Sequence, residues 1–290
     1  MKMKMDILVI NHDPQTRALD ERTQNQGAVM NQQQLLSGLS LTQEAIRILR
    51  KYEPCLYGYY LAFSGGKDSI VIYDLAVKAG VKFDAHFSMT TIDPPEVMKF
   101  IKKNYPDVIW DRPKLSFFQM IVREKMLPTR TKRFCCRILK EIGGKGRIVI
   151  TGIRKQESRF RAARQIYEES NRVKGKWFCN PIIEWSDQDV WDYIRANNLK
   201  YCSLYDQGKT RIGCLFCPMQ GKKGMEYDRV HYPKYYRALL NAIRKMLIHI
   251  HDDNGTWRHG ETPEDVWQWW IGDNPPPPHQ PSAHKIRRQP

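Results

Sequence analysis

The string LAFSGGKDS, residues 61–69, constrains the fold more than any other part of the chain. The apolar run Tyr59, Tyr60, Leu61, Ala62 and Phe63 leads into Ser64-Gly65-Gly66-Lys67-Asp68-Ser69, and IVIYDLAVKAG follows with apolar residues at helical spacing. This succession reads as strand, tight glycine loop and helix. Two glycines let the backbone turn its N–H groups inward onto an anion. The start of the helix adds unbonded N–H groups and the positive end of its dipole. Lys67 supplies a full charge, and Ser64 and Ser69 supply hydroxyl donors.

Further units of the same kind follow. VKFDAHFSM reads as a second strand that ends at TTIDPPEV, with a helix over 96–104, so Thr90, Thr91 and Asp93 fall at a strand's C-terminal end. In open α/β sheets ligands lie along that edge. VIWDRP reads as a third strand, 115–125 as a helix, 148–151 as a buried strand and 176–183 as another strand. The β-α-β-α order implies an α/β fold with a doubly wound, mainly parallel sheet. Ser186 is placed to cap a helix with Asp187 and Asp189 in its first turn. The segment SLYDQGKTRIGCLFCPM has glycines and no period, and reads as loop. Helical patterns resume at 233–250 and 263–271. The expected organisation is a loosely ordered arm over 1–30, a nucleotide-binding domain over 31–220, a helical C-terminal region over 221–272 and a disordered Pro-rich tail over 273–290. Within the second unit, Leu35, Leu36, Leu39, Leu41, Ala45, Ile46, Ile48 and Leu49 mark a helix preceding the first strand, with Ser40 or Thr42 as its cap.

The formal net charge is +16, and it is unevenly spread. Residues 125–164 hold thirteen lysines and arginines against two acids, Glu141 and Glu157. Such a stretch is a footprint for a polyanion, including a nucleic-acid backbone. No apolar run reaches the length of a membrane span, and MKMKMDILVI is broken by Asp6 without a cleavage site, so the expectation is a cytoplasmic protein without a membrane partner.

Seven cysteines, an odd count, argue against a disulfide framework. Cys135-Cys136 and Cys214-x-x-Cys217 form two pairs of soft ligands suited to zinc or an iron–sulfur cluster. Adjacent thiolates reach one small ion poorly, whereas a cubane offers them separate corners, which favours a 4Fe-4S cluster over zinc. Cys55, Cys179 and Cys202 lack such spacing. Gly152-Ile153-Arg154-x-x-Glu157-Ser158-Arg159 follows a strand end, and Arg154 and Arg159 offer planar forks suited to phosphate or sulfate. Arg211 stands beside the second cysteine pair.

SGGKDS is not a Walker A sequence; its order resembles the PP-loop of ATP pyrophosphatases. Together with TTIDPPE, RFCCRILK, GIRKQESR, NPIIEWSDQDVWDYI and YDQGKTRIGCLFCP, it resembles the phosphoadenosine phosphosulfate / adenosine phosphosulfate reductase family of the PP-loop superfamily over roughly residues 59–219. The CC…CxxC pattern resembles its cluster-bearing branch. The resemblance implies an adenine nucleotide alpha hydrolase-like fold and a 4Fe-4S cluster on Cys135, Cys136, Cys214 and Cys217. It implies nucleotide contacts from Ser64, Gly65, Gly66, Lys67, Asp68, Ser69, Thr91, Asp93, Arg154 and Arg159, with Lys67, Asp68 and Arg154 catalytic. The reductases carry a nucleophilic cysteine in a C-terminal ECGxH-type motif, and here no cysteine follows Cys217. In that respect the motifs resemble more closely the ATP pyrophosphatases of DNA phosphorothioation. They imply ATP, Mg²⁺ and the cluster as cofactors, adenylylation of a target ahead of sulfur transfer, a nucleic-acid or sulfur-donor protein partner, and a homo-oligomer. The alternatives are a sulfonucleotide reductase using Cys179 or Cys202, and a non-enzymatic, nucleotide-gated binder of DNA or protein.

Overall fold

A computed structural model of the protein describes residues 40–141, 143–253 and 255–272. The N-terminal arm, Leu35, Leu36, Leu39 and the Pro-rich tail lie outside the described residues. The first helix, α1, is Leu41–Lys51. Ser40 begins it with a reciprocal cap, its hydroxyl accepting from the Gln43 N–H while the Gln43 side chain accepts from the Ser40 N–H. Next come β1 (Tyr59–Ala62), α2 (Lys67–Ala79), β2 (Phe83–Ser88), α3 (Pro95–Asn104), β3 (Ile109–Asp111) and α4 (Phe117–Glu124). They are followed by α5 (Phe134–Leu139), β4 (Ile148–Ile150), α6 (Arg159–Ala162), β5 (Tyr167–Glu169), β6 (Trp177–Cys179) and α7 (Asp187–Ala196). The last described elements are α8 (Gly221–His231), α9 (Pro233–Asp252) and α10 (Pro263–Ile271).

The sheet order is β3-β2-β1-β4-β6-β5. All neighbours run parallel except β5, which pairs antiparallel with β6 at the edge. Tyr60 pairs with Asp84 on one side and Val149 on the other, so β1 is central. The chain winds outward from β1 to β3, then returns to the opposite side of β1 as β4. This reversal opens a crevice at the C-terminal ends of β1 and β4, where open α/β sheets take their ligands. The arrangement is the α/β, doubly wound, mainly parallel fold expected from the sequence.

Alternation along β1 sends Tyr59 and Leu61 into a core with Ala45, Leu49, Ile70, Leu75 and Val190, contributed by α1, α2 and α7. Each such Leu, Ile or Val side chain, fully buried, contributes about 1.5–3 kcal/mol. A second apolar cluster gathers Ile92, Phe117, Met120, Phe134, Leu215, Phe216, Leu239, Ile243 and Trp267. Helix α9 packs along α4, and the Trp270 indole donates to the Pro128 carbonyl at 2.6 Å. The C-terminal helices therefore share a core with α4 and α5. A backbone bond from Leu215 to the Ile92 carbonyl (2.8 Å) ties this cluster to the end of β2. No helix among the described residues is long and apolar enough to cross a membrane.

Several elements differ from the sequence reading, among them the antiparallel edge strand β5 and the four-residue α6, which it does not mark. The strand expected over 176–183 stops at Cys179, because Asn180 turns the chain and Pro181 cannot continue a ladder. Helix α5 and helix α8 were not marked by periodicity. One is only six residues long, and the other carries Gly221 and Gly224 within a polar stretch.

Candidate functional site

Strand β1 delivers the glycine loop to the crevice, and the Phe63 N–H donates to the His86 carbonyl at 2.9 Å, keeping the strand paired to its last residue. Gly65 has φ +72°, and a Cβ there would press within 2.9–3.0 Å of Ile101 and Val97 on α3. Only glycine meets both demands. Ser69 closes the turn by donating to the Gly66 carbonyl at 2.8 Å. Gly66 occupies the cap position of α2 and offers no side chain to its first N–H groups. Those donors face the crevice at the positive end of a 13-residue helix.

Lys67 and Arg154 are buried, at 4% and 3% exposure. The Lys67 ammonium lies 3.0 Å from Asp187 and 3.6 Å from Asp68. Arg154 reaches Asp68 at 2.7 Å through Nε and Asp187 at 2.9 Å through a terminal nitrogen. Four alternating charges thus close a ring. Burial works against the Arg154 charge, but Asp68 and Asp187 outweigh it and hold the guanidinium above its ordinary value. Three elements meet here: α2 brings Lys67 and Asp68, the loop after β4 brings Arg154, and the first residue of α7 is Asp187. The Asp187 N–H donates to the Gln156 side chain at 2.8 Å, which docks α7 on the arginine loop. Gly152 permits the approach, since a Cβ there would lie 2.9 Å from the Asp68 Cβ. The Lys67 backbone N–H donates to the half-buried Tyr205 hydroxyl at 2.9 Å.

The other expected contact residues take different positions. Asp93, 5% exposed, turns back to accept from the Thr90 N–H and hydroxyl, both at 2.7 Å, and so shapes the loop after β2. The Thr91 hydroxyl accepts from the Phe117 N–H at 2.8 Å and anchors α4. Arg159 is exposed and makes no ion pair among the described residues; Arg211 is likewise exposed.

Cys135, Cys136, Cys214 and Cys217 line one cavity with Thr90, Ile92 and Lys140. The fold therefore gathers the two pairs, which are 78 or more residues apart in sequence. Among the described residues, no group of three or more cysteine, histidine or acidic side chains is drawn close enough to hold a metal ion. The donor set, four thiols around a shared and otherwise mostly apolar hollow, matches the chemistry of a cluster. Cys135 donates to Cys136, which raises the first thiol and lowers the second, with Lys140 and Arg133 adding to the lowering. The Cys214 sulfur in turn holds the Lys140 ammonium above its ordinary value.

Cys179 and Cys202 are 0% and 1% exposed. Burial pushes the Cys179 thiol up to about 12 and also raises Cys202. Cys55 is exposed, but it precedes β1 at the opposite end of the strand from the glycine loop. Alkylation of the folded protein at neutral pH is expected to modify Cys55 first and to leave Cys179 and Cys202 unmodified until denaturant is added. Peptide mass spectrometry reads this directly.

Six of the thirteen cations in 125–164 are held in ion pairs: Lys125 with Asp253, Arg147 with Asp84, Arg154 with Asp68 and Asp187, Lys155 with Glu184, Arg161 with Glu157 and Arg164 with Glu168. The polyanion footprint is therefore narrower than the charge count suggested. Lys132, Arg133 and Arg137, at the cysteine-bearing α5, are exposed and make no ion pair among the described residues.

Asp187, Tyr205 and Lys140 were missed as site residues in the sequence. Asp187 reads as an ordinary first-turn acid, and Tyr205 sits in a stretch without a period. Lys140 did carry a signal, because it lies four residues after Cys136 on one helix face.

Residues 58–220 match the phosphoadenosine phosphosulfate reductase domain. An uncharacterized protein of Methanocaldococcus jannaschii is 29% identical over 235 residues, which cover 77% of this chain and 48% of that protein. The chain thus spans about half the length of that relative. An adenosine 5'-phosphosulfate reductase of Oceanobacillus iheyensis is 30% identical over 193 residues, covering 62% of this chain and 79% of the relative. Among solved structures, a phosphoadenylyl-sulfate reductase from Candida auris in a phosphate complex aligns with a TM-score of 0.47 at 22% identity, over 62% of this chain and 90% of that one.

Proposed function

The chain belongs to the phosphoadenosine phosphosulfate reductase family of PP-loop proteins, and from that premise we propose that it is an ATP pyrophosphatase that activates a nucleic-acid target by adenylylation for sulfur transfer. The observation that carries this reading is the pairing of two buried cations, Lys67 and Arg154, at the mouth of a glycine loop whose cap residue, Gly66, offers no side chain to the helix N–H groups.

In this reading the PP-loop N–H groups and Lys67 hold the β- and γ-phosphates as one unit, and Arg154 faces the charge that builds at the α-phosphate. An acceptor oxygen bonds to the α-phosphorus as the α–β bridge breaks, and pyrophosphate departs with the electron pair of that bond. Stabilisation of the departing pyrophosphate by Lys67 and the loop favours cleavage on that side. Asp68, one-quarter exposed beside the loop, would be the carboxylate to hold a divalent cation once the nucleotide draws Lys67 and Arg154 away from it. Such a cation, when bound, neutralises phosphate charge. The four cysteines around the α5 cavity would hold a 4Fe-4S cluster, which supplies a redox-active centre next to the nucleotide edge. The exposed cations Lys132, Arg133 and Arg137 suit an anionic acceptor approaching that cavity.

The name of the Oceanobacillus relative favours a second reading, an adenosine phosphosulfate reductase. That chemistry needs a thiolate at the bound sulfur. Cys179 and Cys202 are buried with raised pKa values, and Cys55 lies at the far end of β1, so none of the three supports it. Incubation with α-labelled ATP and single-stranded DNA, duplex DNA or RNA separates the readings. Labelled AMP or a labelled acceptor is expected. Untouched ATP, with sulfite released from adenosine phosphosulfate in the presence of thioredoxin, would establish the reductase instead.

A further inference from the structure

The charge ring at the glycine loop has a property that its role in binding does not require: it is electrically closed. Lys67 and Arg154 carry two positive charges, and Asp68 and Asp187 carry two negative ones at 2.7–3.6 Å. An incoming polyphosphate therefore meets no net charge at the side chains. It also meets an occupied backbone, because the Lys67 N–H is already bonded to the Tyr205 hydroxyl.

The four members are not equally fixed. The Lys67 and Arg154 side chains are 5% and 3% exposed and that of Asp68 is 24% exposed, whereas Asp187 is 54% exposed. A single Asp187 oxygen, Oδ1, accepts from both cations, at 3.0 and 2.9 Å. This is the position a phosphate oxygen would take to be shared by Lys67 and Arg154. Without an anion there, two buried cations would face one carboxylate, a costly arrangement. Asp187 is also the ring member that can leave most cheaply. It belongs to the first turn of α7, where the helix dipole and solvent stabilise its charge after it swings out.

We propose that Asp187 is a built-in stand-in for the ligand's phosphate. Its carboxylate neutralises Lys67 and Arg154 until the nucleotide displaces it, so it sets the affinity threshold that an anion must exceed. The Tyr205 hydroxyl does the same at the Lys67 N–H. Gly66 lies next to it, since a Cβ there would sit 3.4 Å from that hydroxyl. The inference rests on the reading that the loop binds a nucleotide. It adds a residue that opposes binding and so selects against weakly charged anions such as a lone sulfate.

The test is calorimetric titration of the full chain with inorganic pyrophosphate and with ATP, for the unmodified protein, Asp187→Asn, Tyr205→Phe and Asp192→Asn. Asp192 lies on the same helix but, among the described residues, pairs with Arg195 and Gln188 rather than with the ring, so it controls for general loss of negative charge. Asp187→Asn is expected to bind pyrophosphate roughly tenfold more tightly, the equivalent of one competing charge-assisted contact. A smaller gain is expected for Tyr205→Phe and none for Asp192→Asn. Equal or weaker binding by both Asp187→Asn and Tyr205→Phe, each folded by circular dichroism, overturns the inference while leaving nucleotide binding in place. If the unmodified protein and every variant fail to bind either ligand, the nucleotide reading itself falls, and this inference falls with it.

Discussion

Replacing Lys67 with alanine is expected to weaken ATP binding by about a hundredfold and to abolish turnover. Lys67 is the only ammonium in the ring, and it is nearly fully buried. A charge-assisted contact to a phosphate in such a setting is worth about 2–3 kcal/mol, which is a factor of thirty to a hundred and fifty or so. The substitution also leaves Asp68 and Asp187 sharing one cation, so the ligand would enter a site with a surplus of negative charge. Asp187 is more than half exposed and can turn to solvent, so the fold is expected to survive with a loss of about 1–2 kcal/mol. Calorimetry and thermal unfolding, run on the same preparation, separate the two effects. Unchanged nucleotide affinity in a folded Lys67→Ala protein would place the ligand elsewhere.

The double substitution Cys214→Ser, Cys217→Ser is expected to remove the bound iron entirely. The same four sulfurs that line the cavity also lie between α5 and the core built by α4 and α8 to α10. Metal held there would join a short helix to that core, so its loss should lower the melting temperature as well as the colour. Protein purified without oxygen should be brown, with about four iron and four sulfide per chain, and the variant should be colourless. A colourless unmodified protein carrying zinc would replace the cluster with a different metal and a purely structural role. The pair at Cys135 and Cys136 should behave alike, because both line the same cavity from a six-residue helix with little packing of its own.

The glycine loop, the order of strands and helices along the parallel sheet and the cysteine pairs could all be read from the sequence, because each rests on local chemistry. A strand feeding SGGKDS can enter only a βα turn, and alternating apolar segments can bury both faces only in a layered sheet. The departures have equally local causes. Asp93 and Thr91 carry the right chemistry for a ligand, but short loops need their side chains to bond backbone, and here both do so. The basic stretch read as one footprint because charge counting ignores partners. Glu184, Glu168, Asp84 and Asp253 are distant in sequence or hidden in other elements, and they take up much of it. Asp187 was invisible as a site residue for the same reason. Its role comes from the docking of α7 beside α2, a contact between residues more than a hundred positions apart.

The central claim is that the chain directs attack onto the α-phosphorus of ATP. The most direct measurement is turnover of ATP in water enriched in heavy oxygen, with the products resolved by mass spectrometry. In the absence of another acceptor, the heavy atom should appear in AMP, and the pyrophosphate should be unlabelled. Heavy oxygen in orthophosphate, with ADP as the partner product, would show attack at the γ-phosphorus and contradict the account.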